Sequence, residues 1–136
     1  MSETKTVKVR LDDGTIKTCS IEILPPLPWK FIFSGLELKK YEFSGDDLFE
    51  ALIALRLELE KFGAQLLCVG ARSNTFPSGM SRDMGGGRKA SVARIGSPMN
   101  EDLFDILDYA EPESVGSVAE QQAFYKEWVE ALKQRR

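Results

Sequence analysis

The sequence contains no histidine. That removes His-based general acid and base chemistry, Ser-His-Asp and Cys-His arrangements, and the usual zinc and iron sites. Cysteine is scarce: Cys19 and Cys68 are the only two. They imply no disulfide framework and are expected to stay reduced in the cytoplasm, with a single bridge between them left open by the sequence. No apolar run approaches the length of about 20 residues that a bilayer-spanning helix needs. The first residues, Met1 to Lys8, are polar and charged without an apolar segment, so no secretory signal is expected. Basic excess is also missing. The formal net charge is -3, against the positive footprint of most nucleic-acid binders.

What is present is an ordinary globular composition, 136 residues with 43% apolar and 29% charged side chains. A chain of this size forms one domain and buries roughly two-thirds of its unfolded surface. The most informative stretch runs from Ser44 to Lys89. Ser44 and Asp47 have the spacing of a capping box. Leu48, Leu52, Leu55, Leu59 and Phe62 then recur every three or four residues, widened by Phe49, Ile53 and Leu57. This predicts a deeply sunk helix. Asp47, Glu50, Glu58 and Lys61 mark its wet side, and Gly63 is placed to end it in the left-handed region. Leu66 to Val69 reads as a short strand buried on both faces.

Upstream, Thr6 to Leu11 alternates, and Asp13-Gly14 signals a hairpin. Thr15 to Leu24 returns, with Cys19, Ile21 and Ile23 on one face and Ile16 on the other, which predicts a bulge near Lys17 or Thr18. Pro25-Pro26-Leu27-Pro28 ends that strand and reads as a stiff connector, although a PPxP run also suits aromatic-lined grooves. Trp29 to Phe33, a two-residue turn at Ser34-Gly35, and Leu36 to Phe43 form a second hairpin. The charged Lys39-Lys40 suits a solvent-facing or edge strand. Downstream, Ala90 to Ile95 is predicted as a strand; Leu103, Ile106, Leu107 and Ala110 fit a helix, but the preceding strand and turn favour a strand over Leu103 to Ala110. Glu111 to Gly116 is a loop. Ser117 and Glu120 cap a last helix, Val118 to about Lys133, whose stripe is Phe124, Trp128 and Leu132 flanked by Tyr125 and Val129. The order β-β-β-β-α-β-β-β-α predicts an α+β fold. Its sheet would be mainly antiparallel, with six to seven strands, a central amphipathic helix and a C-terminal helix.

The main candidate site is the stretch Arg72 to Lys89, predicted as a long irregular loop. Arg72, Arg82, Arg88 and Lys89 supply positive charge. Gly85, Gly86 and Gly87 allow close backbone approach to an anion. Phe76, Met80 and Met84 supply apolar area for a partner protein, and the plainer reading is a mobile connector. The Walker pattern fails, because Gly87 is followed by Arg88, Lys89 and Ala90 where Gly-Lys-Ser/Thr must enter a helix. Ser81 has no histidine base and its surroundings lack the second glycine of a nucleophile elbow. Arg88-Lys89-Ala90-Ser91 resembles a basophilic kinase target. A second candidate is the acidic run Glu101, Asp102, Asp105, Asp108, Glu111 and Glu113, a face for a basic partner, oxygen ligands for a hard cation, or a solvated surface paired with the basic loop. Its spacing fits no EF-hand. No catalytic set, metal site or cofactor is expected.

In size, acidity and hairpin-rich α+β plan, the chain resembles the small bacterial immunity proteins of toxin–immunity pairs. That resemblance implies a cytoplasmic, non-enzymatic inhibitor acting by protein–protein contact, through the Arg72–Lys89 stretch or the Glu101–Glu113 face. The alternative from the residues is a protein that binds a small anionic ligand, or an unusual enzyme, with Ser78 and Ser81 adding hydroxyl contacts. A homodimer is a third form of partner. Neither nucleic acid nor a membrane is expected as a partner.

Overall fold

A computed structural model of the chain describes residues 2–36 and 40–134. Strands β1 (Glu3–Arg10) and β2 (Ile16–Ile23) form the first hairpin. Their register runs unbroken from Glu3 opposite Ile23 to Arg10 opposite Ile16. The predicted bulge is therefore absent: Ile16 simply faces solvent, 48% exposed, while Val7, Val9, Cys19, Ile21 and Ile23 point inward. Strand β3 (Trp29–Ser34) pairs with β2 and with β4 (Tyr41–Gly45). Phe33 lies opposite Tyr41, so the chain does not reverse at Ser34-Gly35. At Gly35 it still lies against β2, where a β-carbon would fall 2.8 Å from the Cys19 α-carbon. Part of the predicted fourth strand, including Lys39, lies outside the described residues.

Helix α1 spans Leu48–Glu60 and crosses β3 and β4. Its N-cap is Asp47, whose carboxylate accepts the Glu50 N–H at 2.8 Å, a contact worth about 1 kcal/mol. Ser44 plays no part in that cap because it is a strand residue opposite Lys30. Leu48, Phe49, Leu52, Leu55 and Leu59 are buried as the spacing predicts. Two residues depart from it. Leu57 is 48% exposed because it sits roughly 200° around the helix from Leu55 and Leu59. Phe62 lies past the helix end, where Gly63 takes a φ of +70° and Ala64 donates back to the Leu59 carbonyl at 3.0 Å.

Only Gln65–Leu66 of the next apolar run forms a strand, β5, which pairs with β1 and completes the order β4-β3-β2-β1-β5. Leu67 to Ala71 stays buried but turns through a 3-10 segment, Val69–Ala71. A second sheet follows. Strand β6 (Thr75–Phe76) pairs with β7 (Lys89–Val92), which pairs with β8 (Phe104–Asp105). Between β6 and β7 lies a second helix, α2 (Gly79–Gly85). Among the described residues there are thus eight strands in two antiparallel sheets, five and three, rather than six to seven in one. The predicted strand over Leu103–Ala110 shrinks to β8, because Asp105 accepts the Leu107 N–H at 2.9 Å and bends the chain. That bend sends Ile106, Leu107 and Ala110 into the core.

The last helix, α3, spans Val118–Gln134. Its capping box is formed as the spacing predicts: Glu120 N–H donates to Ser117 Oγ at 3.0 Å and Ser117 N–H to Glu120 Oε1 at 2.7 Å. The main core gathers Ile21, Phe31, Leu52, Leu55, Leu66 and Ile106. A smaller cluster joins Phe76, Ala93 and Trp128 under Phe124, Val129 and Leu132. Between the two lies a polar node. Arg56 of α1 is 2% exposed and donates to the carbonyls of Gly116 at 3.0 Å and Gly70 at 3.3 Å, and to Gln121 Oε1. The Gln121 amide shares its two N–H groups among the carbonyls of Gly70, Arg72 and Thr75, at 2.9, 3.0 and 2.9 Å. Burial pushes the Arg56 pKa down, but neutral acceptors surround the charge and α1 is fastened to α3.

Breaking this node leaves a buried cation and several carbonyls short of partners. Gln121→Ala should therefore cost about 3 kcal/mol. In urea the midpoint should fall with an unchanged slope, which equilibrium unfolding measures directly.

Candidate functional site

Residues 72–89 are not an irregular loop. Ser78 caps the start of α2, its Oγ accepting the Ser81 N–H at 3.0 Å. Gly86, at φ +65°, ends it and returns its N–H to the Ser81 carbonyl. Ser81 Oγ donates to the Lys89 carbonyl at 2.6 Å and ties the helix to β7. Glycine is required at position 86, since a β-carbon there would lie 2.5 Å from Trp29 Cη2. Of the three glycines predicted to approach an anion, Gly86 and Gly87 instead approach Trp29 and Asp47 of the protein itself, and Gly85 makes no close approach.

Arg82 holds α2 onto the start of α1. Its Nε donates to Asp47 Oδ2 at 2.6 Å and its terminal nitrogen to Glu50 Oε1 at 3.2 Å. The guanidinium also lies 5.5 Å from the centre of the Phe49 ring. Burial alone would lower the Arg82 pKa, but the Asp47 hydrogen bond and charge, helped by Glu50, hold it above its ordinary value. Asp47 is therefore buried, 4% exposed, and not on the wet side of α1. It both caps α1 and neutralises Arg82.

Arg88 is engaged in the same way. It donates to Asp105 Oδ2 at 2.9 Å and to both oxygens of Glu3, at 3.2 and 2.9 Å. Arg72 is half-buried, with its backbone bridged to Val115 and its Nε without a hydrogen-bond partner. Lys89 is exposed at the start of β7. The four cations of the stretch do not converge. Of the acidic residues, Asp105 pairs with Arg88 and Asp108 with Lys5 at 3.4 Å, whereas Glu101, Asp102, Glu111 and Glu113 are exposed. Ser91 is buried at 3% exposure, closed to a kinase. Burial pushes the Cys68 thiol up to about 11, so it is no nucleophile.

What the fold brings together is apolar. Met80 and Met84, one helical turn apart on α2, are 72% and 83% exposed. On one side of α2 opens a cleft of 480 Å³ against α1 and α3, walled by Phe49, Ile53, Phe76, Pro77 and Tyr125. Phe76 itself is buried, its ring 5.0 Å from that of Tyr125, edge to face. On the other side, Gly85 helps line a shallower hollow of 320 Å³ with Leu24, Pro25, Pro26 and Trp29. Leu27, at the tip of the proline connector, is 81% exposed. Of these groups the sequence points to Phe76, Met80, Arg82 and Met84 but not to the α1 and α3 walls. Gln121 was missed too, although it sits one turn before Phe124 on the inward side of α3, where a polar residue is itself a signal.

Among the described residues no helix is long and apolar enough to cross a membrane. No protein-family model matches this chain, and no curated protein sequence matches it.

The Arg88 cluster gives a pH signature. The hydrogen bond from Arg88 holds the Glu3 carboxyl below its ordinary 4.5. Burial would raise Asp105, but hydrogen bonds from Arg88 and the Leu107 N–H leave it below 3.8. Both groups ionise more readily folded than unfolded, so their stabilisation is present above the ordinary values and is lost as pH falls through the folded ones. Discounted for solvent screening, Arg88→Met should cost about 1 kcal/mol at neutral pH. Unfolding free energies measured across pH should show that gap to the wild type closing below about pH 4.

Proposed function

We propose that this is a small cytoplasmic, non-enzymatic binding protein that works by protein–protein contact, in the manner of immunity-type inhibitors of toxins. Its contact face is α2 with the hollows on either side. The observation that carries this reading is the exposure of Met80 and Met84 on a helix that is held still. Two large thioether side chains stand in water at 72% and 83% exposure, while Asp47, Glu50, Ser78 and Trp29 fix the backbone beneath them. A rigid apolar patch beside clefts is the form of a surface that another protein covers. Preorganisation of this kind lowers the ordering cost of association.

The reading as a small-anion site has lost its main support, because Arg82 and Arg88 already have carboxylate partners within the protein. A second copy of the chain remains the plainest rival as the occupant of the face.

Native mass spectrometry on protein gently purified from its own cells tests the proposal. The expected result is an added mass of several kilodaltons that differs from the chain's own. Met80→Asp with Met84→Asp should abolish that addition while changing stability by only about 0.5 kcal/mol, the ordinary effect of surface substitutions. A doubled mass would assign the face to self-association. An addition of a few hundred daltons, with phosphate or a nucleotide raising the melting temperature, would overturn the protein-binding reading in favour of an anion site. So would an addition that survives the double substitution.

A further inference from the structure

We infer that the partner's contacting segment is basic and amphipathic. It places a bulky apolar side chain in the 480 Å³ cleft and a lysine or arginine beside it on the α2 side. This rests on the proposed protein-binding function and specifies the chemistry of what is bound.

The apolar half of the inference comes from the walls. Phe49 and Ile53 of α1, Phe76 and Pro77 before α2, and Tyr125 of α3 enclose the space. Its 480 Å³ lies inside the range of roughly 300–1,000 Å³ typical of binding pockets. Three of these walls are aromatic rings, which reward an aromatic or branched aliphatic side chain.

The basic half comes from the charges that remain after internal pairing. Asp83 lies three residues after Met80 and one turn after Gly79, which lines the cleft, so it stands between the exposed face of α2 and the cleft. It is exposed, and no basic side chain among the described residues forms an ion pair with it. Glu50 is 50% exposed and gives one oxygen to Arg82, leaving Oε2 for another donor. Asp46 is exposed just ahead of the α1 cap. The cation on this side, Arg82, is neutralised by Asp47 and Glu50. Glu50 and Arg82 line the cleft, and Asp83 of α2 and Asp46 ahead of α1 add exposed acids on the elements that form this side, so the α1–α2 side carries more negative than positive charge. The α3 edge carries Lys126 and Gln122. A cation on the incoming segment is attracted on the α1–α2 side and repelled at the α3 edge, which sets its direction across the cleft.

The test uses the full chain, labelled with nitrogen-15, and two short synthetic peptides. One is an amphipathic sequence of leucine and lysine; the other is its leucine and glutamate twin. The basic peptide should shift backbone amides of α1, α2 and α3 around the cleft, and the acidic twin should not. Asp83→Lys, which breaks no side-chain hydrogen bond or ion pair among the described residues, should weaken the basic peptide about tenfold. Equal binding of both peptides, no binding of either, shifts away from the cleft, or indifference to Asp83→Lys would each overturn the inference. The two levels separate in the native complex. If Met80→Asp with Met84→Asp abolishes it but Asp83→Lys does not weaken it, the basic-segment inference fails and the protein-binding function stands. If the methionine substitutions leave it intact, the function itself fails.

Discussion

The buried Arg56 guanidinium is the constraint on which the rest of the molecule depends. A charge at 2% exposure is costly unless its donors are satisfied. Here the acceptors come from distant parts of the chain: Gly70 after β5, Gly116 before α3, and Gln121 within α3. None of these carbonyls can move without stranding the charge. The node therefore fixes α3 against α1 and holds the 3-10 turn between the two sheets. The spacing of those helices opens the cleft lined by Ile53 and Tyr125.

A second constraint acts on the other wall. α2 has seven residues, too few to be stable alone, since isolated helices shorter than about 12 residues are marginal in water. It persists because Ser78 caps it, Gly86 packs on Trp29, and Arg82 reaches Asp47. Because Asp47 is also the α1 cap, the position of α2 is coupled to the start of α1. Arginine, which the bare sequence offers as a ligand for anions, serves here to hold one element on another. The same is true of Arg88 between Glu3 and Asp105. Exposed apolar groups are left to define the outward face.

Much of the framework was legible in the residues. Alternation in β1 and β3, the leucine spacing of α1 and the Ser117–Glu120 box each state a local geometry, and each is formed. Errors arose where a local signal met a long-range competitor. Ser44 has capping chemistry, but pairing with β3 holds it in a strand. Ile16 breaks the inward pattern, yet a straight strand tolerates one exposed isoleucine. The stretch 72–89 lacks an apolar period, and its helix rests on contacts with Trp29, Asp47 and Glu50, far away in sequence. The candidate site was half visible for the same reason. Met80, Met84 and Phe76 stand out by type, whereas Ile53, Tyr125 and Gln121 acquire meaning only from what packs against them.

The sequence by itself determined the α+β class, the leucine face of α1, the capping box of α3 and, through the absence of histidine, that the chain supplies no imidazole. These follow from period, cap and composition, which act over a few residues or none. Only the tertiary structure decided that the basic stretch contains a short helix and that Arg82 and Arg88 are paired with carboxylates of the protein itself. It also decided that two sheets exist where one was expected, and that a cleft opens between α1 and α3 beside exposed methionines. Ion pairing, register and burial depend on which distant groups arrive together. That information is carried by the packing of the whole chain.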